Sequence, residues 1–204
     1  MTLRGAIAAA VTPLTVGGEA LDLDAFEPLV AFLAEGGVDG VLACGTTGEG
    51  VLLATDERRT TVERFLEARP AGFQVAVHAG AQTTAETVAL SRHAAEVGAD
   101  AVAVIAPPYF PLDEAELLAH YRATAGACAP LPLYVYEFAG RSGYPIPVSV
   151  VERLREEVPN LAGMTPVRIV DPAEEGAVLR PDRDDWQGTQ IHSLVEVRTL
   201  LDPT

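Results

Sequence analysis

Short hydrophobic runs alternate with helical patterns along the first four-fifths of the chain. Each run is apolar enough to be buried on both faces, which is typical of strands in a parallel sheet. The runs predict six strands: Ala6–Val11, Gly40–Cys44, Gln74–His78, Ala101–Ile105, Leu133–Tyr136 and Leu161–Met164. Apolar residues at helical spacing predict helices between them: Asp22–Glu35, Asp56–Glu67 (with Thr55 as N-cap), Thr84–Val97, Asp113–Gly126 and Val148–Val158.

A regular strand–helix alternation allows two architectures, an open doubly wound sheet and an eight-fold barrel. The phrases GGVDGVLA and VGADAVAVI repeat the same helix-to-strand junction, which indicates repeated βα units. No GxGxxG fingerprint follows the first strand, which disfavours the open sheet. Polar residues instead follow several different strands, as GTTGE, HAGAQTT, PPYF and YEFAGRSG. A TIM (β/α)8 barrel assembles its site from many strand ends and is therefore the predicted fold.

The last part of the chain differs in character from the rest. Residues 1–164 provide five βα units and a sixth strand, whereas a full barrel typically needs about 250 residues. Charged and turn-forming residues dominate 165–204, where two weak strands or one short helix over Ile191–Leu201 are expected. We therefore expect a barrel portion over 1–164, truncated after its sixth strand, and a divergent tail over 165–204.

Composition narrows the classes of function. The net charge of −15 disfavours a nucleic-acid partner, and no apolar run of about 18 residues predicts a membrane span. The two cysteines form no disulfide framework, so a cytoplasmic location is expected. All 14 basic residues are arginine, so the sequence contains no lysine. Covalent chemistry that uses a lysine amine is therefore not available to it.

The GTTGEG turn at 45–50 follows the second predicted strand. Glycines allow close approach of the backbone, and Thr46 and Thr47 offer hydroxyl and N–H groups that can hold a carboxylate without a metal. A plain loop, with Glu49 supporting the start of a helix, explains the same residues.

A second motif lies further along the chain, where Tyr136 ends the fifth strand and Arg141 follows in a glycine-bounded loop. Arginine can form a fork to a carboxylate and tyrosine can relay a proton, although a tyrosine at the core edge and a solvated arginine remain the alternative.

Other polar residues suggest no separate site. His78 is interpreted as a core histidine in preference to a base, and Cys44 as a packing residue because no partner base is evident in the sequence. No His, Asp or Glu cluster has the spacing of metal ligands, so no metal and no cofactor are expected.

In their order, GTTGE, AG.QTT, PPYF and Y....RSG resemble the dihydrodipicolinate synthase / N-acetylneuraminate lyase family over about residues 6–164. The resemblance implies a TIM barrel, usually a dimer or tetramer, that makes or breaks a carbon–carbon bond of a 2-oxo acid, often pyruvate, or dehydrates a sugar acid. It implies that Thr46 and Thr47 grip the substrate carboxylate, that Thr47 and Tyr136 relay protons, and that Arg141 recognises the second substrate. Tyr109-Phe110 matches a loop with two tyrosines in the synthases, the second of which reaches a neighbouring subunit.

The same resemblance implies a lysine at the end of the sixth strand that forms an imine with the ketone. The family phrase there is close to N-L-x-G-x-K, and this chain reads NLAGMT, with Thr165 at the lysine position. A hydroxyl cannot form an imine, and guanidinium groups stay protonated. Pro166 follows and restricts Thr165 to extended geometry. Divergence begins at the same place, so a shifted reading frame or a replaced C-terminus is one hypothesis for both changes.

Three functions therefore stay open. The chain is a lyase of this family that acts despite Thr165, a protein that binds or scaffolds around a 2-oxo acid without catalysis, or an incomplete product of a frame-shifted gene. An impaired or inactive lyase-like protein is the expected function.

Overall fold

The computed structural model describes residues 2–162 and, beyond them, the backbone of Val167–Ile169 and Thr189–Ile191. The chain divides into two compact units, Met1–Gly163 and Met164–Thr204. Thr165 and the end of the predicted sixth strand lie outside the described residues, and so does the predicted helix apart from its first residue.

The first unit contains one sheet whose five strands follow one another in chain order. Each strand pairs in parallel with the next one, as Val41 with Val75 and Val104 with Val135. A doubly wound sheet reverses its strand order at a switch point, and this sheet does not. The strand order is that of a (β/α) barrel. The strands are β1 (Ile7–Ala9), β2 (Gly40–Ala43), β3 (Gln74–His78), β4 (Ala101–Ile105) and β5 (Leu133–Tyr136).

Helices connect the strands, because a parallel pair requires a crossover that returns the chain to the starting edge. Short 3-10 turns precede the first two helices, at Leu23–Ala25 and Gly50–Leu52. The predicted helices are present with ends shifted by a few residues, and one short helix was not predicted. The helices are α1 (Phe26–Glu35), α2 (Thr55–Ala68), α3 (Thr84–Glu96), α4 (Glu114–Cys128), the unpredicted α5 (Ala139–Ser142) and α6 (Val148–Glu157).

The prediction that Thr55 caps α2 was wrong. Thr55 is the first helical residue and Ala54 occupies the cap position. The Glu57 carboxylate accepts the Ala54 N–H at 2.8 Å, while the Thr55 hydroxyl donates to Glu86 at 3.0 Å. A carboxylate in the first turn has thus replaced the usual side-chain cap.

The core lies between the sheet and the surrounding helices. All residues of β4 are buried, as expected for a strand covered on both faces. Phe26 of α1 meets Phe65 of α2 edge to face, with ring centroids 5.0 Å apart, and both are almost fully buried. His120 of α4 is buried too, with Nδ1 2.9 Å from the Thr84 hydroxyl, and burial lowers its pKa to about 4.

The chain begins to pair along the free side of β5 just before the described region ends. Leu161 forms a parallel bridge with Leu133, the Leu133 N–H donates to the Asn160 carbonyl, and the Ala162 N–H donates to the Leu133 carbonyl. The Asn160 amide also donates to the Leu131 carbonyl at 2.8 Å. These bonds place the start of the predicted sixth strand beside β5.

In the second unit, Val167–Ile169 (β6) pairs in parallel with Thr189–Ile191 (β7). None of the helices in the described part of the chain has the length and apolar run required to cross a membrane.

Candidate functional site

A cavity of about 550 Å³ lies at the carboxyl ends of β2, β3 and β4 and beside the loop that follows β5. Parallel strands bring all their carboxyl ends to one side of the sheet, which is where barrel enzymes carry their sites. Two of the predicted site residues line it, together with side chains that were not predicted for it. The polar and aromatic lining includes Thr46, Glu49, His78, Gln82, Tyr109 and Arg141.

The turn after β2 has an unusual backbone. Cys44 and Glu49 both adopt positive φ angles, 57° and 50°, which non-glycine residues rarely do. Position 50, which follows Glu49, requires glycine, since a Cβ there would lie 2.0 Å from the Cys44 carbonyl oxygen. The Thr12 hydroxyl donates to the Gly48 carbonyl at 2.7 Å and links the turn to the end of β1. The turn is thus fixed from both sides.

This turn presents both predicted threonines at the surface. Thr46 and Thr47 are exposed, and Thr46 lines the cavity. Thr47 is not among the described residues that do so. The structure thus brings Thr46 and Arg141 to one cavity and places Thr47 beside it.

Tyr136 ends β5 next to the cavity without being among its described lining residues. Its ring packs edge to face on the His78 ring, with centroids 5.5 Å apart. Phe138 follows at 6.1 Å from Tyr136, and the Arg141 guanidinium lies 5.9 Å from the Phe138 ring centroid. A chain of ring contacts therefore joins the ends of β3 and β5 to Arg141.

Glu137 shapes the loop that carries Arg141. Its carboxylate accepts the N–H groups of Ala139, the first residue of the short helix α5, and Ile146, beyond the end of that helix, at 3.3 and 3.2 Å. The Ser142 hydroxyl donates to the Tyr144 carbonyl at 2.7 Å inside the same loop. These bonds join the two ends of the loop after β5 and so restrict the position of Arg141.

His78 and Cys44 meet at the wall of the cavity. The ring nitrogen Nδ1 of His78 lies 3.2 Å from the carbonyl oxygen of Cys44, and burial lowers the pKa of His78 to about 4. The Cys44 thiol is buried and donates weakly to the Arg58 carbonyl, and burial raises its pKa to about 11. Cys44 therefore packs as a protonated thiol at neutral pH.

Arg58 supports this arrangement and was missed in the sequence. Its side chain is 3% exposed, and its guanidinium donates to the His78 carbonyl at 2.7 Å and the Gly80 carbonyl at 3.0 Å. Burial lowers its pKa below the usual value. Its spacing to Val62 and Phe65, four and seven residues later, was the available signal, because it places Arg58 on the buried face of α2.

A larger cavity, of about 800 Å³, lies near the amino end of β5. Three of the polar side chains in its wall are already paired: Arg122 forms an ion pair with Glu157, and the Asn160 amide donates to backbone carbonyls. No group of three His, Cys, Asp or Glu side chains suited to a metal occurs in the region that the structure covers. The cavity at the carboxyl ends is therefore the candidate site.

Comparison with known proteins gives consistent similarities. A family model described as the Dihydrodipicolinate synthetase family matches residues 2–167. The 4-hydroxy-tetrahydrodipicolinate synthase of Salinibacter ruber is 37% identical over 164 residues, which make up 80% of this chain and 54% of that protein. The N-acetylneuraminate lyase of Mus musculus is 36% identical over 166 residues, 79% of this chain and 52% of the lyase. The chain spans about half the length of these curated relatives.

Solved structures of the same family are similar to this chain in fold. The dihydrodipicolinate synthase from Acinetobacter baumannii, solved in complex with pyruvate, superposes with a TM-score of 0.73 and 33% identity, covering 79% of this chain and 55% of that one. The synthase from Cyanidioschyzon merolae, solved with lysine bound, gives 0.75 and 29%, covering 83% and 56%. These likenesses, together with the strand order, confirm the predicted TIM-barrel fold class.

We expect Arg58→Met to destabilise the first unit by about 2 to 5 kcal/mol, because it leaves two buried carbonyl acceptors without donors. Arg59→Met is the matched control. Arg59 is the next residue on the same helix, and its ion pair among residues 2–162 is with the exposed Asp56 carboxylate, so its loss should cost less than about 1 kcal/mol. Urea unfolding of both variants measures the difference. Equal costs would show that Arg58 does not support the site.

Proposed function

The chain belongs to the dihydrodipicolinate synthetase family, and from this we propose that its cavity binds a small 2-oxo acid such as pyruvate without a covalent bond. The observation that carries the proposal is the convergence of Thr46 and Arg141 on one cavity in a sequence that has no lysine. A threonine hydroxyl and an arginine at one cavity suit a carboxylate ligand. The absence of lysine removes the amine that imine chemistry requires.

The charges around the cavity support an anionic ligand. Arg141 supplies a guanidinium at the cavity wall, and Arg58 places a second positive charge behind His78. The Thr46 hydroxyl adds a neutral donor next to them. With the Glu49 carboxylate also in the lining, the two arginines still leave the cavity a local excess of positive charge within a chain of net charge −15, which suits one carboxylate ligand.

Catalysis requires more than this binding. In the family pattern, Thr47 and Tyr136 move protons to and from an imine, and a lysine at the position of Thr165 provides its nitrogen. Thr165 offers a hydroxyl, which forms no imine. We therefore propose that the chain is an impaired or inactive lyase-like protein, in which the carboxylate-binding part of the site is retained and the covalent step is lost.

We also propose that the chain forms a homo-oligomer through the face that carries Tyr109 and Phe110. Their rings contact each other with centroids 4.8 Å apart and are 81% and 73% exposed. Val51 and Leu52, also exposed, lie in the turn before α2, and Tyr109, Val51 and Leu52 all line the candidate cavity. An exposed apolar surface of this kind is typical of a protein–protein contact.

Binding of pyruvate should depend on Arg141. We expect Arg141→Ala to weaken pyruvate binding at least about tenfold, since a hydrogen bond between charged groups contributes roughly 1.5 to 3 kcal/mol. Arg153→Ala is the control, because Arg153 is a half-exposed arginine on α6 that faces Glu157. Isothermal calorimetry of both variants measures the change. Absence of heat with the unmodified chain, or equal loss in both variants, would contradict the proposal.

Borohydride reduction in the presence of pyruvate should leave every side chain of the unmodified chain without an adduct, since none can form an imine; peptide mass analysis separates this result from any reaction of the terminal α-amine. Thr165→Lys should gain one reduced pyruvate, located by peptide mass analysis at residue 165. Arg153→Lys supplies a lysine remote from the cavity and should gain none. A side-chain adduct on the unmodified chain would contradict the loss of the covalent step, and equal trapping in both variants would contradict the assignment of Thr165 to the lysine position.

Phe110→Asp should shift the chain toward monomer, because a charge in an apolar contact is costly to bury. Phe32→Asp is the matched control, since Phe32 on α1 is 72% exposed and lies outside the proposed face. Sedimentation velocity over a range of concentrations measures the dissociation constant, which should rise at least about tenfold in the first variant alone. A monomeric unmodified chain, or the same shift with Phe32→Asp, would contradict the proposed face.

A further inference from the structure

Two loops form the part of the cavity wall that follows β4 and β5. Residues 106–113, the β4 loop, contribute Pro108 and Tyr109 to the lining, and residues 137–147, the β5 loop, contribute Arg141. The proposed contact between the guanidinium and a carboxylate is therefore made from the β5 loop alone. Its strength depends on how far that loop is already held in place when the ligand enters, because ordering a loop on binding reduces the affinity.

Tyr144 joins these two loops through its hydroxyl group. The hydroxyl donates to the Pro107 carbonyl at 2.9 Å, across 37 positions of the chain. Pro107 is buried and Tyr144 is half-buried, so the bond is partly shielded from water. Burial raises the pKa of Tyr144, against a smaller lowering by the Leu112 backbone, and the hydroxyl therefore remains a donor at neutral pH.

Tyr144 also belongs to the hydrogen-bonded turn that follows Arg141. Its carbonyl accepts the hydroxyl of Ser142 at 2.7 Å, and Ser142 is only 3% exposed. Gly143 lies between them with a φ angle of 89°, a left-handed conformation that glycine adopts without strain. Arg141 directly precedes Ser142. A short closed turn thus connects the arginine to the bond that Tyr144 makes with the β4 loop.

We propose that Tyr144 is a positioning residue of the candidate site, whose hydroxyl holds the β5 loop against the β4 loop and so fixes Arg141 at the cavity before a ligand enters. The inference rests on the proposed function and deepens it, since it names the residue that prepares Arg141 for the carboxylate. When the bond is absent, a ligand must also restrict the loop that carries Arg141, and this cost weakens binding.

Calorimetry with pyruvate tests this role in Tyr144→Phe, which removes one oxygen atom and keeps the ring. We expect the dissociation constant to rise about three- to tenfold, the factor that corresponds to one neutral hydrogen bond. Tyr134→Phe is the matched control. Tyr134 is also half-buried, but its hydroxyl accepts the Leu3 N–H at 3.0 Å near the amino end of β5, so its loss should leave the dissociation constant unchanged. An equal rise in both variants would overturn the inference.

A double-mutant cycle with Arg141→Ala distinguishes positioning from a general loss of structure. If Tyr144 acts through Arg141, Tyr144→Phe should change the dissociation constant by less than about twofold once the arginine is absent. Ligand-observed NMR titration measures the weaker dissociation constants of the cycle. The same three- to tenfold rise in both backgrounds would show that the hydroxyl supports the cavity without positioning Arg141, and would reject the proposed role.

Hydrogen exchange without ligand tests the connection between the loops directly. Tyr144→Phe should speed amide exchange in residues 106–113 and 137–147, because both loops lose a hydrogen bond that restricts them. Tyr134→Phe should leave exchange in both loops at the rate of the unmodified chain. Unchanged exchange in Tyr144→Phe would show that the hydroxyl does not hold the loops together.

The outcomes separate this inference from the proposed function. Pyruvate binding that Tyr144→Phe leaves unchanged rejects the role of Tyr144, while the proposed function stands. Absence of pyruvate binding by the unmodified chain rejects the proposed function and the positioning role together.

Discussion

The parallel pairing of consecutive strands is the constraint on which the other features depend. Each βα unit must return the chain to the same edge, so every strand ends on the same side as the one before it. Cys44, His78 and the residues after Tyr136 become neighbours for this reason, although nearly a hundred positions separate the first from the last. The helices cover the sheet and the strand ends are left to form the cavity. A ligand site at this edge follows from the topology, and the side chains decide its chemistry.

Arg58 connects these two levels. Its guanidinium reaches from α2 to the carbonyls of His78 and Gly80, at the end of β3 and just beyond it. A cation bonded to peptide carbonyls satisfies the strand end and also places positive charge behind the cavity. Burial lowers the pKa of His78 most, and the Arg58 charge lowers it further, so the ring is kept neutral. One buried side chain thus contributes to the stability of the fold and to the electrostatics of the site.

The sequence allowed the strands, the helices, the fold class and the family to be predicted, because buried strands and amphipathic helices leave periodic patterns. It also identified Thr46 and Arg141, which meet at one cavity. It did not reveal Arg58, because an arginine in a charged helix is normally solvated and only its spacing to Val62 and Phe65 indicates otherwise. The left-handed backbone at Cys44 and Glu49 was also missed, since glycine is the usual signal for it. Thr55 as a cap was wrong because the helix begins one residue earlier than predicted, which puts Ala54 at the cap position with its N–H bonded to Glu57.

The buried thiol of Cys44 has a consequence for anyone who labels this cavity. With its pKa raised to about 11, the sulfur is almost entirely protonated under ordinary conditions and reacts slowly with alkylating reagents. The sequence supplies no competing amine side chain. Among the side chains that line the cavity, Cys44 therefore adds little background to electrophilic labelling, and the neutral His78 imidazole is the nucleophile that such an experiment has to account for.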